Sequence, residues 1–376
     1  MRIVHGPSAF NGNLNLTEFH IETHSPEWYQ FRSTGVPGVY DGGFGASEIG
    51  TILGLSDYRP VLPELLQQKD GGVQPRNRVT EASLSGILAE QSILERWQYW
   101  DGTELGYLTH WQNRAIQRKY KTLDCYIVNE KFPWLFASLD ASVLKGEMSM
   151  GGVKLTQDSP IECKKISYFV TKKWENKIPP SHVAQVQQQM LVTDTEWAEL
   201  AVLMEGPSGP VFSVYPVERN EGFCNVILKR TEELYHLVLE MRSKRAEIEK
   251  SKVSNPSRVD NLLVEYESML PLPDENEAYK DYYAERYLKE SEKIEGSMQD
   301  FKHAKERVRM AEAIKVLSKK QQYHENFILE KFVRSGAEYI EFEGNGRIRY
   351  YTQKGKNKPQ LDFRSLNIPV NMEVKI

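Results

Sequence analysis

"PIECKKIS", residues Pro160 to Ser167, sets an acid, a small apolar residue and a base in a row: Glu162, Cys163 and Lys164. The stretch reads as a strand, and on a strand side chains two apart share a face, so Glu162 and Lys164 point the same way. Upstream, "LFASLDASVL" (residues 135–144) reads as a second strand and carries Asp140. The Gly-rich turn "KGEMSMGG" lies between them, so the two strands can lie side by side in one sheet. That arrangement gathers Asp140, Glu162 and Lys164. Two carboxylates offer hard oxygen ligands for Mg²⁺. A lysine beside them can position or activate water, or stabilise charge developing on a phosphate. The triplet alone does not select this reading, because "MEVKI" repeats it with Glu373 and Lys375. An ordinary charged strand end is the competing account.

The neighbouring elements supply context. "SPEWYQFRSTG" predicts a helix capped by Ser25, opened by Pro26 and closed by Gly35. "GFGASEIGTILGL" predicts a Gly-rich turn into a short helix that Ser47 caps. "EASLSGILAEQSILERWQYW" spaces Leu84, Ile87, Leu88, Ile93, Leu94 and Trp97 as one helical face, with Glu90 to its side. Strands are expected at "LDCYIVNEKF", "VKLTQD" and "VFSVYPV". "PPSHVAQVQQQMLVTDTEWAELAVLM" reads as a helix, a break at Thr193–Asp194 and a strand, and a long amphipathic helix follows "GFCN". The order predicts an α/β core with a central mixed sheet. Beyond residue 250, "SKVSNPSRVD" reads as a linker to a charged helical extension. Its thin apolar seam includes Tyr283, Tyr287, Ile294, Met298, Phe301, Val308, Ile314 and Leu317. "AEYIEFEGNGRIRYYTQ" ends the pattern as a β-hairpin turning at Asn-Gly. Two domains are expected, residues 1–250 and 251–376.

With 376 residues, 40% apolar and 27% charged, the chain is expected to be soluble and ordered. No apolar run reaches membrane-spanning length, and no signal-peptide core opens the chain. The three cysteines are too few and too scattered for a disulfide framework or a zinc pattern, so reduced thiols and a cytoplasmic location are expected. A net charge of −4 does not announce a nucleic-acid binder, but a local basic surface can still hold phosphate.

Six segments together resemble the YqaJ-type viral recombinase family, which includes lambda exonuclease, within the PD-(D/E)XK nuclease superfamily. They are "EWYQFRSTG", "FGASEIGTILGLSDYRP", "SGILAEQSILERW", "FASLDASV", "PIECKKIS" and "HVAQVQQQMLVT", in the family's order, and the similarity covers roughly residues 25 to 215. The resemblance implies a restriction-endonuclease-like core, a central mixed sheet flanked by helices. It implies that Asp140 and Glu162 bind metal, joined by the Cys163 backbone carbonyl and by Glu90 from a helix. It makes Lys164 the catalytic lysine and Gln185 a helical contact to the site. It assigns Arg32 and Ser47 to a terminal 5′-phosphate.

Elementary chemistry agrees, since a guanidinium fork suits phosphate oxygens and a buried helical acid needs a partner. Plainer roles stand beside these: Arg32 paired with Glu27, Ser47 a simple cap, Glu90 facing solvent. Gln185 shares its helical face with Gln189, and the choice between them is open.

The expected activity is an Mg²⁺-dependent deoxyribonuclease, with Mn²⁺ as a substitute, acting 5′→3′ on double-stranded DNA ends in phage-type recombination. A homo-oligomer and a single-strand annealing partner are implied by the resemblance alone. An endonuclease of the same superfamily, or a non-catalytic DNA- or partner-binding protein, are the alternatives. The 21 residues between Asp140 and Glu162 suggest a loop inserted over or beside the site.

Overall fold

The computed structural model describes residues 1–376 except 7, 9, 14, 75–80, 175–176, 207–208, 287–296, 336–338, 343–345, 353–358 and 367–376. Glu373, Lys375, Tyr287, Ile294 and Asn345 of the expected hairpin turn fall outside the described residues. Contacts divide the chain into Met1–Leu288 and Lys289–Ile376.

In chain order the first unit holds β1 (Arg2–His5), β2 (Leu16–His20), α1 (Pro26–Ser33), β3 (Phe44–Gly45), α2 (Ile49–Ile52), α3 (Leu62–Lys69), α4 (Glu81–Tyr99) and α5 (Glu104–Gln112). Next come β4 (Tyr120–Lys121), β5 (Tyr126–Asn129), β6 (Leu135–Ser138), β7 (Ala141–Val143), β8 (Ser159–Ile166), α6 (Pro180–Thr193), β9 (Trp197–Gly206) and β10 (Gly209–Glu218). Three helices follow: α7 (Glu221–Ser254), α8 (Val259–Ser268) and α9 (Ala278–Arg286).

The α/β core expected from the sequence is present, but its central sheet is two mixed sheets. Their strand orders are β1-β2-β5-β6-β3 and β10-β9-β8-β7-β4. One parallel pair sits in each, β3 with β6 and β8 with β9. The stretch "LFASLDASV" is therefore not one strand. It breaks at Leu139–Asp140, where the chain leaves the first sheet as β6 and enters the second as β7. Asp140 thus lies at the seam between the sheets.

Local signals explain several element ends. The Ser25 hydroxyl accepts from Trp28 N, and Pro26 opens α1. Gly35 follows at φ +87°, where a Cβ would sit 2.0 Å from the Tyr40 carbonyl oxygen, so only glycine fits the turn. Asp194 ends α6 in the left-handed region at φ 55°.

Three expectations are corrected. "VKLTQD" forms only an isolated bridge, Met148 with Lys154, because turn bonds such as Ser149–Val153 and Gly146–Leu155 fold that segment onto itself. Leu84, Ile87 and Leu88 of α4 are exposed, whereas Ile93, Leu94 and Trp97 are buried, so only the second half of that face is core. "SKVSNPSRVD" is no extended linker: α7 runs to Ser254 and one 3₁₀ turn leads into α8.

The division at 288 also lies beyond the expected boundary at 250. Leu262 and Tyr266 of α8 are buried in the main core, and the Tyr266 hydroxyl donates to Asp70 at 2.5 Å. Tyr279 and Tyr282 of α9 pack with Val61.

The second unit holds α10 (Met298–Ser335), β11 (Tyr339–Phe342), β12 (Gly346–Thr352) and β13 (Pro359–Leu366). The expected hairpin, β11 with β12, gains a third antiparallel strand in β13. Met298, Phe301, Val308, Ile314 and Leu317 are all exposed along α10.

Candidate active site

β8 runs along the second sheet with Glu162 buried, 4% exposed. Strand β7 pairs antiparallel with β8, Ala141 opposite Ile161, so the register carries Asp140 to the level of Glu162. The Asp140 Oδ2 accepts the Cys163 backbone N–H at 2.7 Å. Along a strand the N–H and C=O of one residue face the same neighbour, so the Cys163 carbonyl also lies on the Asp140 side. The Cys163 thiol is buried, and burial, then Asp140 and Glu162, push it well above its usual range. It is a core side chain rather than a nucleophile.

Glu162 is held on three sides. Its Oε1 accepts from Lys164 Nζ at 2.5 Å and from Gln185 Nε2 at 2.6 Å, and its Oε2 from Gln189 Nε2 at 2.5 Å. Both glutamines therefore reach the acid, as their shared helical face allows. Gln189 also donates to the Ser138 carbonyl.

Glu90 on α4 is half-buried rather than solvent-facing. Burial, then the field of Glu162, raises its carboxyl above the usual range, with Lys164 opposing. Asp140 is raised further by burial and by Glu162. Burial would lower Lys164, but Glu162 and Asp140 outweigh it and carry its ammonium above the usual range. Three acids thus share one lysine, and negative charge is left over.

The loop between β7 and β8 is tied down by other partners. Met150 N donates to Glu199 at 2.8 Å, and Lys145 N to Asp158 at 2.8 Å. Glu199 also receives Arg118 Nη1 at 2.7 Å and Trp97 Nε1 at 2.7 Å. The buried Arg118 guanidinium lies 3.9 Å from the Trp97 ring centre. This network fixes the outer wall of the second sheet.

Arg32 and Ser47 meet in a second charged cluster. Ser47 is not a cap: Gly45 precedes the 3₁₀ turn Ala46–Glu48, Glu48 precedes α2, and neither supplies a side-chain cap bond. A glycine at 45 is needed because a Cβ there would press on the Phe136 ring at 2.7 Å. The Arg32 Nη2 donates to Ser47 Oγ at 3.4 Å and to Glu48 Oε1 at 2.9 Å, so its acid is Glu48, not Glu27.

Sequence reasoning missed Lys69. Its Nζ pairs with Glu48 Oε2 at 2.7 Å and donates to the Arg32 carbonyl at 2.5 Å. Nothing in the residue pattern marks it, since it ends α3 like any basic last-turn residue. Burial pulls the Lys69 ammonium down to about 8 despite Glu48. Burial would raise Glu48, but Lys69 and Arg32 hold it below the usual carboxylate range. Trp28 and Phe136 flank the Arg32 guanidinium at 5.1 and 5.6 Å.

Helix α6 joins the two clusters. Gln185 and Gln189 reach Glu162, while Gln188 Nε2 donates to the carbonyls of Phe44 and Phe136 at 2.9 and 3.2 Å. Gln187 faces elsewhere and donates to the Glu218 carbonyl at 2.7 Å.

Residues 27–196 match the model of the YqaJ-like viral recombinase domain, the family that the sequence resembles. No curated protein matches the chain. Among solved structures, the chain is similar to an alkaline exonuclease (LHK-Exo) from Laribacter hongkongensis. Identity is 16% and the TM-score 0.40, over 59% of this chain and 99% of that one. A phage related exonuclease from Haemophilus somnus is similar at 10% identity and TM-score 0.30, over 53% of this chain and 96% of that one. Among the described residues, no helix is long and apolar enough to cross a membrane.

Proposed function

We propose that this YqaJ-like domain is a metal-dependent deoxyribonuclease acting 5′→3′ on double-stranded DNA ends. The observation that supports it most is the seating of Glu162. Lys164, Gln185 and Gln189 fix both its oxygens, and the β7–β8 register brings Asp140 beside it. The donor set fits a hard divalent ion, because Asp140, Glu162, Glu90 and the Cys163 carbonyl are all oxygen donors and the acids are in charge excess. Mg²⁺ there, or Mn²⁺ in its place, would polarise a phosphate oxygen and make water more nucleophilic.

The chain's own residues do the rest. Lys164 keeps a positive charge next to Glu162, where it can orient water and stabilise charge gathering on the phosphate. Gln185 and Gln189 restrain Glu162 so that the lysine and the carboxylates keep their spacing. Arg32, with Ser47 and the buried Lys69, forms a cationic pocket suited to a terminal 5′-phosphate. Holding that phosphate would set the polarity of digestion. A role in recombination, an annealing partner and a homo-oligomer follow from the family resemblance only.

The test is digestion of linear duplex carrying 5′-phosphate or 5′-hydroxyl ends, beside relaxed circular DNA, with Mg²⁺. Faster loss of the phosphorylated duplex and intact circles are expected. Cut circles would point to an endonuclease, and binding without cleavage of either substrate to a non-catalytic protein.

A further inference from the structure

We propose that Glu18, His20 and Cys125 form a binding site for a transition-metal ion of the Zn²⁺ class, on the first sheet and away from the Asp140–Glu162 centre. Their ligand atoms, a carboxylate oxygen, an imidazole nitrogen and a thiol sulfur, all lie within 4.8 Å of one another. The geometry follows from the strand register. Glu18 and His20 are two apart on β2 and share a face. Phe19 pairs with Tyr126 on antiparallel β5, which carries Cys125 to a position opposite His20.

Two further features point to a cation. His20 Nδ1 lies 3.1 Å from the Asp124 carbonyl oxygen, the outer bond that metal-ligating histidines commonly make. His20 Nε2 lies 3.2 Å from Glu18 Oε2, where a metal ion would take the place of the proton between them. Ser8 meanwhile donates to the other oxygen, Glu18 Oε1, at 2.5 Å and fixes the carboxylate.

The donor set is selective. A thiolate and an imidazole favour Zn²⁺ or Co²⁺ over Mg²⁺, which prefers all-oxygen sites. Tetrahedral Zn²⁺ with bonds of about 2.0–2.3 Å sets its ligand atoms about 3.5 Å apart, so the trio has to close by about 1 Å. His20 is 27% exposed on its side chain, which leaves an approach for the ion. On binding, a metal–sulfur bond forms and the thiol proton leaves to bulk water. The ion and Arg2 then balance the charges of Glu18, Asp124 and the thiolate.

Two costs oppose it. Burial, then Glu18 and Asp124, push the Cys125 thiol up to about 12, so the ion must displace a firmly held proton. Arg2 Nη2 lies 3.2 Å from His20 Nε2 and competes as the local cation. The bound ion would clip β2 to the start of β5. The next residue, Tyr126, receives Trp28 Nε1 on its hydroxyl at 2.5 Å, beneath Arg32.

The experiment titrates the full reduced chain with Co²⁺ and reads the thiolate-to-metal charge-transfer band. One equivalent of band, bleached by Zn²⁺ but not by excess Mg²⁺, is expected. Cys125→Ser should remove it, Asp140→Asn should keep it, and Arg2→Ala should strengthen it. Should Cys125→Ser not fold, His20→Gln serves instead and should weaken Co²⁺ binding by about 100-fold or more. A band absent from both the wild type and Arg2→Ala, or one that persists in Cys125→Ser, overturns the proposal.

Discussion

Two charged clusters in the first unit are built on the same plan and end with opposite charge. Each centres on a glutamate fixed by several donors. Around Glu48 two cations, Arg32 and Lys69, share one acid. Around Glu162 one cation, Lys164, answers to Asp140 and Glu90 as well. The first cluster is left positive and suits an anion; the second is left negative and suits a divalent cation. A single helix, α6, bonds the second acid directly and the strands that carry the first pocket's aromatic wall. The difference teaches that a charge count around a buried acid, more than the acid itself, indicates what the site is prepared to bind.

That contrast can be broken from either side. The largest effect is expected at the acidic centre: Asp140→Asn or Lys164→Ala should lower the turnover of 5′-phosphorylated linear duplex by about 10²–10³-fold or more. Product release with Mg²⁺ measures it, and full activity in both variants would remove the catalytic reading. Arg32→Ala should cost about 10–100-fold on phosphorylated ends, the worth of a hydrogen bond to a charged group, and far less on 5′-hydroxyl ends. Equal losses on both ends would deny the pocket its phosphate.

Smaller effects sharpen the comparison. Gln189→Ala removes a buried donor to Glu162 and should destabilise the fold by about 1–3 kcal/mol in urea unfolding at unchanged m. Glu48→Gln leaves the cationic pocket more positive and should lower KM for phosphorylated ends more than it changes kcat. A raised KM would mean that Glu48 organises Arg32 rather than competing with the ligand.

The smallest expected effect concerns acid. Burial, then Lys164, lowers the His182 imidazole from 6.5 to about 4. The folded state then binds fewer protons than the unfolded state between those values, so stability falls as pH drops through that window. His182→Gln should flatten that decline, and an unchanged pH profile of the melting temperature would contradict it.

Much of the site was legible in the chain because its signals are local. Period-two alternation put Glu162 and Lys164 on one strand face, and Ser25, Pro26 and Gly35 marked α1 by capping chemistry alone. What escaped was set by distant partners. Lys69 is 37 residues from the carbonyl it meets, and no spacing rule links them. Gln189 could not be separated from Gln185, since helical periodicity gives both the same face. The apolar stripe of α4 is legible as one helical face, yet periodicity reports which residues share a face and not how much of that face another element covers.

By itself, then, the sequence determined several of the elements around Glu162, their order and the residue types gathered there. It could not separate Glu162–Cys163–Lys164 from any other charged strand end. Tertiary structure gives that triplet its particular surroundings, by breaking the Asp140 strand at the seam of two sheets and laying α6 across Glu162. It also chose Glu48 over Glu27 as the partner of Arg32 and brought in Lys69. The physical reason is one of range. Dihedral preference and side-chain periodicity act over a few residues, whereas the field at a buried charge is set by whatever the fold brings near it.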